Sequence, residues 1–91
     1  MTRTIVLNPS DTVATCLAEF EAGAELEAGG TRLTVRQPIP YAHKIAIRPM
    51  RPGDQVVKYG EVIGIASRAI EPGDWVHVHN VESDRARGDK P

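Results

Sequence analysis

One cysteine, Cys16, is present in 91 residues, so no disulfide can close within the chain. A domain this small buries a limited core, and without a cross-link it depends on tight packing or a partner. The scarcity of cysteine fits a reducing compartment, and a cytoplasmic protein is expected. Aromatic residues are equally few: Phe20, Tyr41, Tyr59 and Trp75. With 11 basic against 12 acidic side chains and a formal net charge of -1, the chain lacks the basic, aromatic-laced stripe of a nucleic-acid binder. Arg32, Arg36, Arg48 and Arg51 do gather locally, either to steer an anionic small molecule or as a solvated face. No apolar run approaches a membrane span, and the basic opening reaches Asn8-Pro9 before a signal-type stretch could form. Dinucleotide and Walker loops, Cys-x-x-Cys, Gly-x-Ser-x-Gly and His-Glu-x-x-His are all absent.

What is present is a series of short β-like runs punctuated by Gly, Pro and Asp. Thr4 to Leu7 reads as a strand stopped by Asn8-Pro9. Val13, Cys16, Leu17 and Phe20 then follow at i, i+3, i+4 and i+7, which predicts a short amphipathic helix capped by Ser10 or Asp11. Cys16 on that stripe is a packed core thiol rather than a nucleophile. Gly29-Gly30 between two β-like runs predicts a two-residue hairpin. Leu33 and Val35, like Ile45 and Ile47, alternate with neighbours in the manner of a half-buried strand. The echo Pro52-Gly53-Asp54-x-Val56 and Pro72-Gly73-Asp74-x-Val76 predicts two type II turns, each feeding a strand, with the aspartates capping backbone N–H groups. The expected architecture is all-β, with one short helix near the start. Residues 1–81 form the domain and 82–91 a charged, frayed tail.

All three histidines lie in two short motifs, Tyr41-Ala42-His43-Lys44 and Val76-His77-Val78-His79-Asn80. If the second is a strand, His77 and His79 project on one face. A pair so placed can bind a metal or divide proton transfers, or it can simply face solvent. Lys44 is either a solvated lysine at a strand entrance or a base whose pKa is lowered by burial and a neighbouring cation.

Taken together, Ile39-Pro-Tyr-Ala-His43-Lys44, then Lys58-Tyr59-Gly60-Glu-Val-Ile63-Gly64, then Pro72-Gly73-Asp-Trp-Val-His77-Val-His79-Asn80, resemble the SAF-type domain of altronate and galactarate dehydratases. The resemblance runs in order from about Leu7 to Val81. It implies a β-clip fold, a small subunit inactive alone, and a larger catalytic partner chain that completes a sugar-acid dehydratase. His43, Lys44, His77 and His79 would be the catalytic residues, and Tyr59 and Asn80 the substrate-binding ones. A divalent metal, iron(II), is implied in the assembled enzyme, with His77 and His79 as candidate ligands. The same small-subunit form occurs in sulfolactate sulfo-lyase, an alternative that releases sulfite and leaves pyruvate. A second alternative is a non-catalytic SAF-type module that binds carbohydrate or organises a partner. Self-association is left open; nucleic-acid and membrane partners are not expected. Two positions depart from the family pattern: Ala42 replaces a usual glycine, and Ala69 stands where an aspartate is common.

Overall fold

A computed structural model describes residues 3–83. Nine short strands succeed one another: β1 Thr4–Ile5, β2 Val13–Cys16, β3 Glu25–Ala28, β4 Thr31–Thr34, β5 Lys44–Ala46, β6 Gln55–Lys58, β7 Glu61–Ala66, β8 Trp75–Val76 and β9 Val81–Glu82. The all-β expectation therefore holds. The short helix does not: Val13–Cys16 is a strand, and no helix occurs among the described residues. None, accordingly, is long and apolar enough to cross a membrane. Residues 84–91 of the expected tail lie outside the described residues, and Glu82 belongs to β9.

β2 explains why periodicity misled. It lies inside an antiparallel sheet of order β1-β2-β5-β8 and packs on both faces. Ala14, Cys16 and Ile45 join one cluster with Phe20, Leu26, Leu33, Val35, Ile39 and Ile47, beneath the β3–β4 hairpin. Val13, Ala46 and Val76 join a second with Met50, Val56, Ala66 and Ile70, beneath β6 and β7. A strand buried on both faces carries apolar residues in succession, and some of these fall at helical spacing by chance. Ile45, Ala46 and Ile47 are all buried for the same reason, so the half-buried alternation expected there is absent. Cys16 is fully enclosed, and burial pushes its thiol up to about 11.

The turns repeat more often than the sequence echo suggested. Gly53 and Gly73 both adopt φ of 96°, each with Asp N–H bonded to the carbonyl three residues back, as type II turns require. Asp54 and Asp74 cap Arg51 N–H and Glu71 N–H at 2.8 Å. The same turn recurs at Glu21–Ala24 without proline or aspartate. Two-residue hairpins at Gly29-Gly30 and Tyr59-Gly60 match closely, with φ values of 58° and 78° against 55° and 80°. Isolated bridges Phe20↔Ile39 and Met50↔Ile70 close the two units. The domain is thus a pair of related folded-over β units flanking one central sheet.

Candidate functional site

β5 and β8 are neighbours, with Lys44 opposite Val76 and Ile45 opposite Trp75. That pairing brings the two histidine motifs to one end of the sheet although they are far apart in sequence. His43 is fixed on the other side too, since its carbonyl accepts Cys16 N–H at 2.8 Å.

The rings converge on Trp75. His77 stacks on the indole at 5.4 Å with an 8° interplanar angle, and His79 lies at 5.1 Å, tilted by 43°. His43 is 5.7 Å from Trp75 and 4.8 Å from His77, centroid to centroid. Trp75 Nε1–H donates to His43 Nδ1 at 3.1 Å. The gathering of all three histidines comes about by a different route from the one expected. β8 ends at Val76, and His77 to Asn80 form a turn. His77 and His79 therefore share the Trp75 ring by wrapping it, not by alternating along a strand.

Asn80 makes that turn. It is buried; its side-chain oxygen accepts His77 N–H at 2.9 Å, and its amide nitrogen donates to Trp75 C=O at 2.9 Å. Gln37 holds the other end of the strand, accepting Trp75 N–H at 2.8 Å while donating to Asp74 Oδ1 at 3.1 Å. Arg36 pairs with the same carboxylate oxygen at 3.0 Å. The indole platform is thus pinned by backbone bonds on both flanks.

Lys44 and Tyr59 are linked to the site through Thr15 of β2. Tyr59 O–H and Thr15 Oγ1 are hydrogen-bonded at 2.8 Å, and Thr15 is the β2 partner of Lys44. Lys58 Nζ lies 5.2 Å from the Tyr59 ring centre, within cation–π range. Burial, and then the charge of Lys58, lower the Lys44 pKa. His77 is lowered by desolvation first and then by His43, Lys44 and His79. Both shifts favour the uncharged form, chiefly because desolvation penalises the charged one. Lys44 and His77 also line a shallow pocket of about 270 Å³ with Ile63, Val78, Val81, Glu82 and Ser83. A larger cavity of about 570 Å³, lined by residues including Arg3, Thr4 and Gly29, shares no residue with this cluster.

Ala42 keeps the left-handed backbone usual for glycine, at φ 70°, inside a Pro40–His43 turn closed by His43 N–H to Pro40 C=O at 3.2 Å. The Ala42 Cβ is carried in this conformation at a conformational cost. Sequence reasoning passed over Trp75 and Lys58. A lone tryptophan between a turn motif and a His-x-His pair was the available signal.

Among the described residues no three His, Cys, Asp or Glu side chains come together to hold a metal ion. His43 Nδ1, moreover, is already occupied by the indole N–H. This donor set does not fit a metal centre by itself.

Comparison with known proteins gives these features a context. The model of the "Altronate/galactarate dehydratase SAF domain" matches residues 2–84. An altronate dehydratase of Bacillus subtilis is 36% identical over 80 residues, which cover 88% of this chain and 16% of that enzyme. The L-threo-forming galactarate dehydratase of Escherichia coli is 34% identical over 79% of this chain and 14% of its own length. A (2R)-sulfolactate sulfo-lyase subunit alpha of Paracoccus pantotrophus is 43% identical over 54 residues, 59% of this chain and 81% of that subunit. The chain thus spans about a sixth of the altronate dehydratase and most of the sulfo-lyase subunit. Its all-β fold, its paired histidine motifs and the match over nearly its full length agree: the chain belongs to the SAF-domain family of the altronate and galactarate dehydratases.

Proposed function

We propose that this chain is the small subunit of a two-part lyase that dehydrates an altronate- or galactarate-like acid to a 2-keto-3-deoxy acid. The observation that carries this reading is the convergence of His43, Lys44, His77 and His79 at one end of β5 and β8. The site is shallow and open, which suits a surface completed by a larger polypeptide. Such a reaction removes a weakly acidic proton beside a carboxylate and expels hydroxide. It needs a base, and positive charge where the enediolate oxygen develops.

The residues here supply both. His77, held toward its neutral form by its surroundings, can accept a proton near neutral pH. Lys44 places cationic charge at the same pocket, with Lys58 near enough to act on it, and a substrate carboxylate would be attracted there. Tyr59 borders this charge with a hydroxyl bonded to Thr15. Asn80 serves the site by shaping the His77–Asn80 turn, its own polar atoms being engaged internally. The divalent metal implied for the assembled enzyme would take its ligands chiefly from the larger polypeptide.

The test is co-purification with that polypeptide and an assay for 2-keto-3-deoxy acid from altronate and galactarate. His77→Ala should cost about 10²–10⁴ in kcat/KM if the residue transfers a proton. Unchanged turnover in an intact assembly would remove it from the site.

A second reading, sulfite elimination from sulfolactate, is favoured by one observation: the sulfo-lyase relative is itself a separate subunit and is covered over 81% of its length. Release of sulfite rather than water from the assembled enzyme would decide for it.

A further inference from the structure

The histidines differ in how their ring nitrogens are held. Only His43 has a ring nitrogen fixed by a side-chain hydrogen bond among the described residues: Nδ1, 3.1 Å from Trp75 Nε1. An indole N–H is a donor and nothing else, so Nδ1 must present its lone pair. In the neutral ring the proton then resides on Nε2. Nothing among the described residues accepts from that nitrogen, so it is available to a bound molecule. The indole in turn has little freedom. Gln37 accepts its backbone N–H, Asn80 donates to its carbonyl, and His77 stacks on its face.

We propose that Trp75 is a positioning residue: its indole N–H fixes His43 as the Nε2–H tautomer, so that His43 offers a hydrogen-bond donor, not a base, to an anionic oxygen of the bound hydroxy acid. The substrate half of this statement rests on the lyase reading above; the tautomer half does not. A neutral imidazole donor can polarise a carboxyl oxygen as negative charge gathers there, provided its orientation is set beforehand. The proposal divides the labour among residues that sequence could not tell apart. His43 donates through Nε2, and proton abstraction falls to His77.

The experiment has two arms. In the first, the full chain is labelled with nitrogen-15, and two-bond proton–nitrogen correlation spectra of the histidines are recorded above pH 8. His43 should show the Nε2–H pattern, and the Trp75 indole proton should exchange slowly with solvent. Trp75→Phe keeps an aromatic ring but removes the donor, and should let His43 populate both tautomers. An Nδ1–H pattern in the native chain, or a tautomer unmoved by the substitution, overturns the proposal. Should Trp75→Phe not fold, the native spectrum and the indole exchange rate decide alone.

In the second arm, the enzyme assembled with its larger polypeptide is assayed. Trp75→Phe should lower kcat about ten- to a hundredfold, as loss of a group orienting a site residue typically does, with KM little changed. Adding it to His43→Ala should bring no further loss. Additive losses would overturn the coupling. A native assembly that turns over no hydroxy acid would sink the lyase reading instead, while the spectra still judge the tautomer.

Discussion

Asp11 and Gly60 lie 49 positions apart in sequence, yet the Gly60 N–H donates to Asp11 Oδ1 at 2.8 Å. The second carboxylate oxygen accepts Leu7 N–H at 3.2 Å and Asn8 N–H at 3.3 Å. This buried side chain therefore ties the loop after β1 to the Tyr59-Gly60 hairpin turn, which in turn sets Tyr59 against Thr15. Asp11→Asn can accept with only one oxygen and turns an amide toward backbone donors. It should cost about 1.5–3 kcal/mol, read as a lower urea midpoint.

The same carboxyl gives a pH signature. Burial, the largest single influence, would raise it, but backbone N–H groups of Gly60, Leu7, Tyr59 and Asn8 together outweigh that and hold it below 3.8. A depressed folded-state value means that the stabilisation is full above the unfolded value and is lost as pH falls through the folded one. Urea midpoints measured from pH 7 down to pH 2 should drop at the acid end in the native chain, and less steeply in Asp11→Asn.

Lys44 predicts the opposite trade. Its folded-state pKa is lowered by burial and by Lys58, so holding it charged costs stability below its unfolded value near 10.5, and the cost fades as pH rises toward it. Because the group is partly solvated, Lys44→Met should stabilise the isolated chain by less than about 1 kcal/mol. The same change should remove activity from the assembled enzyme. Lys58→Gln should raise the Lys44 pKa, seen as slower modification of Lys44 by amine-selective reagents at pH 8.

Ala42 at φ 70° invites a further test. A left-handed non-glycine residue costs about 1–2 kcal/mol, and glycine returns part of that through its greater freedom when unfolded. Ala42→Gly should therefore raise stability by roughly 0.5–1 kcal/mol, measured by thermal or urea unfolding.

Cys16 offers a probe of opening. Enclosed in the core, with its thiol pushed up to about 11, it should resist a disulfide reagent at pH 8. The labelling rate should follow the population of opened chains and rise in Asp11→Asn.

Much of the chain's β character was legible because turn chemistry is local. Gly29-Gly30 and the two Pro-Gly-Asp turns fall where their residues demand, since positive φ and proline geometry need no tertiary help. The third turn, at Glu21–Ala24, went unread because it lacks both proline and aspartate. The helix expected over Val13 to Phe20 failed for a non-local reason: packing on both faces of β2 erases the alternation that marks a strand. At the site, the histidine and lysine motifs were visible as residue types. Their meeting around Trp75, and the burial of Asp11, depend on pairings across tens of residues that spacing does not encode.

The Trp75–His43 bond spans 32 positions and exists once β8 has come to rest beside β5. A chain still emerging from the ribosome, or one clipped between these strands and drifting apart, carries every imidazole yet presents no constellation. The constellation is thus a property of the completed fold alone, absent from any copy in which β5 and β8 have not paired.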